Sequence, residues 1–113
     1  MAAGIYSFVL EQGVDWSQTF VVDANYSLTG KKARGAIRET PTGALLGTLT
    51  CTISGQNLTV DIPSAVSAAI DGTLTKLVYD VEIYTDEGTP AVDVTVDRLL
   101  KGTITFDAEV THE

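Results

Sequence analysis

The stretch that decides the fold is Lys76-Leu77-Val78-Tyr79-Asp80-Val81-Glu82-Ile83-Tyr84-Thr85. Leu77, Tyr79, Val81 and Ile83 fall on one parity, and Asp80 and Glu82 on the other. Successive side chains of a β-strand point to opposite faces, so the run reads as a half-buried strand, apolar row inward and acids outward.

Working outward, Asp86-Glu87-Gly88-Thr89-Pro90 turns the chain back, and a long β segment follows from Ala91 to Phe106. Val92, Val94 and Val96 share a parity with Ile104 and Phe106, against Asp93, Thr95 and Asp97. Arg98-Leu99-Leu100 disturbs the alternation, and Gly102 is a natural bulge or bend. Two collinear strand pieces are therefore expected, with an irregularity at 97–102, and the polar tail 107–113 is expected to leave the sheet.

On the other side of the run, Ser64-Ala65-Val66-Ser67-Ala68-Ala69-Ile70 is the one plausible helix. Pro63 or Ser64 can start it, Asp71-Gly72 stops it, and Val66, Ala69 and Ile70 fall on one side. It is too short to stand alone and reads as a crossover between sheets. Before it, Leu45, Gly47, Leu49, Cys51 and Ile53 line one face, Ser54-Gly55-Gln56-Asn57 forms a hairpin turn, and Leu58, Val60 and Ile62 alternate with Thr59 and Asp61.

Nearer the N-terminus, Ala33, Gly35 and Ile37 alternate with Arg34 and Arg38, an outward basic row able to pair with the acids of the second half. Val14, Trp16, Phe20 and Val22 share a parity and make an earlier strand anchored by the Trp. Ile5 to Leu10 is apolar on both parities. Such a segment is either a first strand covered on both sides, or part of an arm, residues 1–13, packed on a neighbouring subunit.

About seven short strands, one brief helical crossover near 64–70 and no βαβ rhythm point to an all-β chain. The expected architecture is a single immunoglobulin-like β-sandwich over 1–113, with a small barrel as the alternative. Composition agrees: 44% hydrophobic and 19% charged residues allow a core without metals or disulfides, and 16 threonines favour pleated surfaces.

The seven basic and fifteen acidic residues give a net charge of −8, and the excess lies entirely in the second half. Residues 57–113 hold eleven acids against three bases, so nucleic-acid binding is not expected. The single Cys51 excludes an internal disulfide, and its parity makes it a small core residue. MAAGIYSFVLEQG lacks the basic start of a secretory leader, and no segment approaches the ~20 apolar residues of a membrane span. Synthesis and folding in a reducing cytoplasm are expected, with no membrane contact.

Catalytic sets are missing. His112 lies beside the C-terminus, Cys51 has no histidine near it in sequence, and the glycines form no phosphate-binding loop. The acidic pairs Asp80/Glu82, Asp86/Glu87 and Asp93/Asp97 lack calcium-loop spacing, and strand alternation accounts for them. Tyr6, Tyr26 and Tyr84 are the aromatic residues left over for a sugar platform, because Trp16 and Tyr79 lie on apolar parities. No cofactor, no metal and no enzymatic activity are expected.

Four landmarks in order carry a resemblance. They are Tyr6 with Leu10-Glu11-Gln12-Gly13-Val14-Asp15-Trp16, then Leu28-Thr29-Gly30 with Ala33-Arg34 and Ile37-Arg38, then Val78-Tyr79-Asp80-Val81-Glu82, then Arg98-Leu99-Leu100-Lys101-Gly102-Thr103-Ile104. A closing Glu109-Val110-Thr111 also fits. Together they resemble a family of short tailed-bacteriophage virion proteins, similar to N-terminal domains of baseplate and fibre-attachment proteins. Asp23-Ala24-Asn25-Tyr26-Ser27 departs from the Gly-rich hairpin the family often has after the Trp strand.

The resemblance implies a structural part of the tail, baseplate or fibre attachment. Such a part is made in the host cytoplasm and located in the virion. It contacts other virion proteins and copies of itself in a symmetric ring. The alternatives are a capsid-decoration or neck protein, or a carbohydrate- or receptor-binding module. Candidate contact residues are Ile5, Tyr6, Phe8 and Leu10 of the arm, Arg34 and Arg38 of the basic row, and Arg98 and Leu99 of the disturbed strand.

Overall fold

The computed structural model of the chain describes residues 4–23, 25–87 and 92–108. Residues 1–3 of the arm, the turn at 88–91, His112 and the tail beyond Ala108, with its Glu109-Val110-Thr111, lie outside the described residues. So do the side chains of residues 86, 87 and 92–95.

Alternation becomes strand wherever it was read. The elements are β1 (Gly4–Ile5), β2 (Phe8–Glu11), β3 (Trp16–Val21), β4 (Lys32–Arg38), β5 (Leu45–Ser54), β6 (Asn57–Ile62), α1 (Ser64–Ala68), β7 (Lys76–Glu87) and β8 (Val92–Asp107). The larger sheet runs β8-β7-β4-β5, with β1 and β2 both lying parallel on the outer side of β8. The smaller sheet is β5-β6-β3. β5 belongs to both: its first half pairs with β4 and its second half, from Thr50, pairs with β6. This is an immunoglobulin-like β-sandwich.

Leu10, Ile37, Leu58, Ile62, Leu77, Val81 and Ile104 have no exposed surface and form the core between the sheets. In antibody domains a disulfide ties the sheets together beside a buried Trp. Here β5 joins them covalently, and a run of rings fills one end. Phe8 stacks on Trp16 (centroids 4.0 Å apart, 13° between planes) and tilts against Tyr79 at 5.3 Å, while Tyr6 meets Phe20 edge-on at 5.1 Å. Aromatic pairs of this kind add about 1 kcal/mol each beyond their buried area.

Among residues whose side chains are described, two register shifts change which ones face inward. Ile37 lies opposite Gly47 and Arg38 opposite Leu45, so Leu46 is an extra residue. Leu45, expected inward with Leu49, is instead 51% exposed, and Leu46 packs against the core. Val81 lies opposite Leu100 and Glu82 opposite Arg98, which makes Leu99 the extra residue in β8. One inserted residue reverses the parity beyond it. Val96, expected inward with Ile104, is therefore 45% exposed, while Leu99 is buried. The irregularity lies within 97–102 as expected, but β8 is one continuous strand rather than two pieces.

Gly102 is not the bulge. It sits where the chain between β1 and β2 runs alongside β8, and a Cβ there would run into the carbonyl of Tyr6. The same carbonyl accepts the Tyr79 hydroxyl, and the Tyr6 amide donates to Lys101 O at 3.0 Å. A residue without a side chain lets the N-terminal strand lie this close.

α1 is a five-residue turn begun after Pro63, shorter than the 64–70 expected. It anchors the β2–β3 turn. Gln12 Nε2 donates to Ile70 O at 2.9 Å, and the Gly13 amide donates to Ser67 Oγ at 3.0 Å. Asp15 Oδ1 accepts the Ser64 amide at 2.6 Å, satisfying one of the free N–H groups at the helix start. Ser67 is fully buried because its hydroxyl is used here. Gly13 turns the chain at φ 79°, a left-handed value that costs glycine little. On the opposite side, Gln56 in the β5–β6 hairpin reaches the carbonyls of Val22, Asp23 and Tyr26 at 3.0–3.2 Å and closes the loop after β3.

Candidate interaction surface

The register places the outward residues of the larger sheet in rows. In the first row Arg34 faces Glu82, and Glu82 faces Arg98. In the second, Ala36 faces Asp80, Asp80 faces Lys101, and Lys101 lies beside Ile5. In the third, Arg38 faces Val78 and Val78 faces Thr103. Charges of opposite sign thus alternate across the strands. Arg34 Nε meets Glu82 Oε1 at 3.0 Å, and Arg98 Nε reaches diagonally to Asp80 Oδ2 at 3.3 Å. The Arg34 guanidinium also covers the ring of Tyr84 at 4.3 Å. Arg38 Nη1 donates to the carbonyl of Gly43 at 2.9 Å and so fastens the β4–β5 turn.

Between these long side chains the face is open. Ala36, Ser7 and Thr103 are short, so a groove of about 340 Å³ crosses the sheet, with the Gly102 backbone in its lining. Val78 and Ala36 give it an apolar surface, with Ile5 and Pro41 contributing further apolar atoms. Arg38, Arg98 and Lys101 bring three cations to it, and Asp80 the single carboxylate.

Of the eight candidate contact residues, the structure brings three together here: Ile5, Arg38 and Arg98. Two are corrected. Leu10 is fully buried and Leu99 is 6% exposed, because parallel pairing of β2 with β8 and the bulge turn both into this chain's own core. Phe8 and Tyr6 are half-buried in the ring cluster. Residues 4–11 are therefore mainly edge strands of this sandwich, with Ile5 at 77% and Val9 at 56% left outward. Arg34 meets Glu82 outside the groove. Nothing in the sequence marks Lys101, Val78 and Ala36 as contact residues, because only strand register sets them beside Arg38 and Arg98.

The three tyrosines do not make a platform. Tyr6 packs on Phe8 and Phe20, Lys31 lies over the Tyr26 ring at 4.3 Å, and Arg34 covers Tyr84. Burial pushes the Tyr26 hydroxyl up to about 12, helped by its 2.8 Å bond to Asp97. Burial raises Tyr79 to about 12 as well, with the neighbouring Tyr6 adding to it. Burial first, and Asp61 second, raise the Cys51 thiol to about 11, so at neutral pH it is protonated and a poor nucleophile. Among the described residues no three His, Cys, Asp or Glu side chains gather as a metal ion would require, and no helix is long and apolar enough to cross a membrane.

No protein-family profile and no curated protein matches the chain. Similar solved structures include the extracellular domain of the voltage-gated sodium channel beta4 subunit, at 8% identity and TM-score 0.49, covering 97% of this chain and 98% of that one. Another is the second Ig domain of the mouse polymeric immunoglobulin receptor, at 8% identity and TM-score 0.36, covering 98% and 100%. The class is an immunoglobulin-like domain, and the strand order above is what defines it.

Proposed function

We propose that the protein is a non-catalytic assembly module of a bacteriophage particle, a part of the tail, baseplate or fibre attachment that works by protein–protein contact. The observation that carries the contact role is the convergence of Ile5, Arg38 and Arg98 on one groove, beside an N-terminal edge that leaves Ile5 and Val9 outward. Exposed apolar residues on a sheet edge invite a neighbour. The four ordered landmarks supply the particle. Fold alone leaves function open, so the reading rests on these residues rather than on the sandwich.

Within the particle, the protein contacts other virion proteins and copies of itself around a symmetry axis. A small tag inserted at Gly55, in the exposed β5–β6 hairpin away from the groove, allows the test. Purified particles of the phage that encodes the chain, labelled through the tag, should show density on the tail or baseplate in electron micrographs. Label on the capsid or neck would move the protein to those structures, and its absence from purified particles would remove it from the virion.

A further inference from the structure

We infer that the groove across β1, β8, β7 and β4 receives an extended segment of a partner protein that carries apolar and carboxylate side chains two residues apart, and so on one face. The inference rests on the reading of this face as a contact surface, and not on the particle to which that reading assigns the chain.

The argument begins with charge. The protein carries fifteen acids against seven bases, yet three of those bases converge on this groove with one acid. Asp80 does not neutralise them. It is engaged by Arg98 at 3.3 Å, while Lys101 only lies opposite it in the register, so one carboxylate stands against three cations. Arg38 spends one guanidinium nitrogen on Gly43 O, and a carbonyl removes none of its charge. The groove is thus a positive place on an acidic protein, and such a place attracts carboxylates.

Shape narrows the occupant further. Val78, Ala36, Ile5 and Pro41 offer apolar surface between the cations, so a purely acidic ligand would leave it wetted. The groove crosses four strands, which at sheet spacing is roughly 14 Å, the span of about four extended residues. Because it runs across the strands, the segment docks on side chains and adds no strand to the sheet. A symmetric contact with a second copy is disfavoured, since a two-fold interface would set Arg38, Arg98 and Lys101 against themselves.

Short blocked peptides of repeating Leu-Ser-Glu-Ser, which set leucine and glutamate on one face of an extended chain, make the probe when fluorescently labelled, with glutamine and lysine in place of glutamate as controls. The glutamate peptide should bind the whole chain, weaken as salt is raised, and shift the amide resonances of Ala36, Val78 and Thr103. The glutamine version should bind about tenfold more weakly, and the lysine version not at all. Lys101→Glu, a change at an exposed position, should weaken the glutamate peptide about tenfold and admit the lysine one. Equal binding of all three peptides, or resonance shifts confined to other faces, would overturn the inference. So would a dimer in sedimentation that Lys101→Glu dissociates, because a second copy would then be the occupant. Absence of the protein from purified particles would refute the virion reading and leave this result standing.

Discussion

On the inner face of β7, Leu77, Tyr79, Val81 and Ile83 are each exposed by 5% or less. On its outer face, one residue away, Val78, Asp80 and Glu82 are half-buried members of cross-strand rows. The two faces alternate along one run, yet they are held by different physics. Inside, area removed from water dominates, and each side chain stabilises the fold nearly independently of its exact neighbour. Outside, an ion pair in high dielectric stabilises little, and what matters is which charge the register places opposite which. One strand therefore serves as core on one side and presents ordered charge on the other, the face proposed above as the recognition surface.

That comparison can be broken from the inside. Leu77→Ala should cost about 3 kcal/mol in urea unfolding, through lost transfer energy and the cavity left behind. An effect under about 1 kcal/mol would mean the inner face is not closely packed. Gly102→Ala should cost about 2 kcal/mol, because its methyl group collides with the Tyr6 carbonyl. Hydrogen exchange should then show β1 and β2 opening while β3 to β6 stay protected.

Tyr79→Phe should cost about 1 kcal/mol, since it leaves the Tyr6 carbonyl without its donor. It also tests the alkaline limb. The Tyr26 and Tyr79 hydroxyls titrate at 10.0 when unperturbed and near 12 in the fold. Below pH 10 both states hold the protons, and these groups add no pH dependence. Between about 10 and 12 the unfolded chain releases protons that the folded one keeps, so stability should fall as pH rises. Tyr79→Phe should flatten that fall in part. On the outer face, Glu82→Gln should change stability by less than about 0.5 kcal/mol, measured in the same urea titration. A loss above about 2 kcal/mol would erase the distinction between the faces.

The inner face was legible in the sequence because burial follows a period of two, and Leu77, Tyr79, Val81 and Ile83 needed no partner to be read. The positions where parity misleads share one cause. Leu45 and Val96 lie beyond a bulge, and one extra residue reverses every parity after it without leaving a signature in composition. Leu99 disturbs the alternation, and the disturbance buries it. The Arg34–Glu82 pair was legible as charge complementarity alone. Lys101 beside Asp80 and Ile5 was not, because that juxtaposition combines an antiparallel and a parallel register. Ser67 and Gln56 were missed because a single polar residue that organises a turn looks like any other loop residue until its hydrogen bonds are seen.

The parallel seating of β1 and β2 on β8 has a mechanical consequence. Tension applied to the chain ahead of β1 and behind β8 would pull two side-by-side strands in opposite directions along their length. The hydrogen bonds from Gly4 opposite Leu100 to Glu11 opposite Asp107 would then be loaded together in shear, instead of being unzipped one at a time. A domain wired this way resists force at its ends while its loops remain free to give.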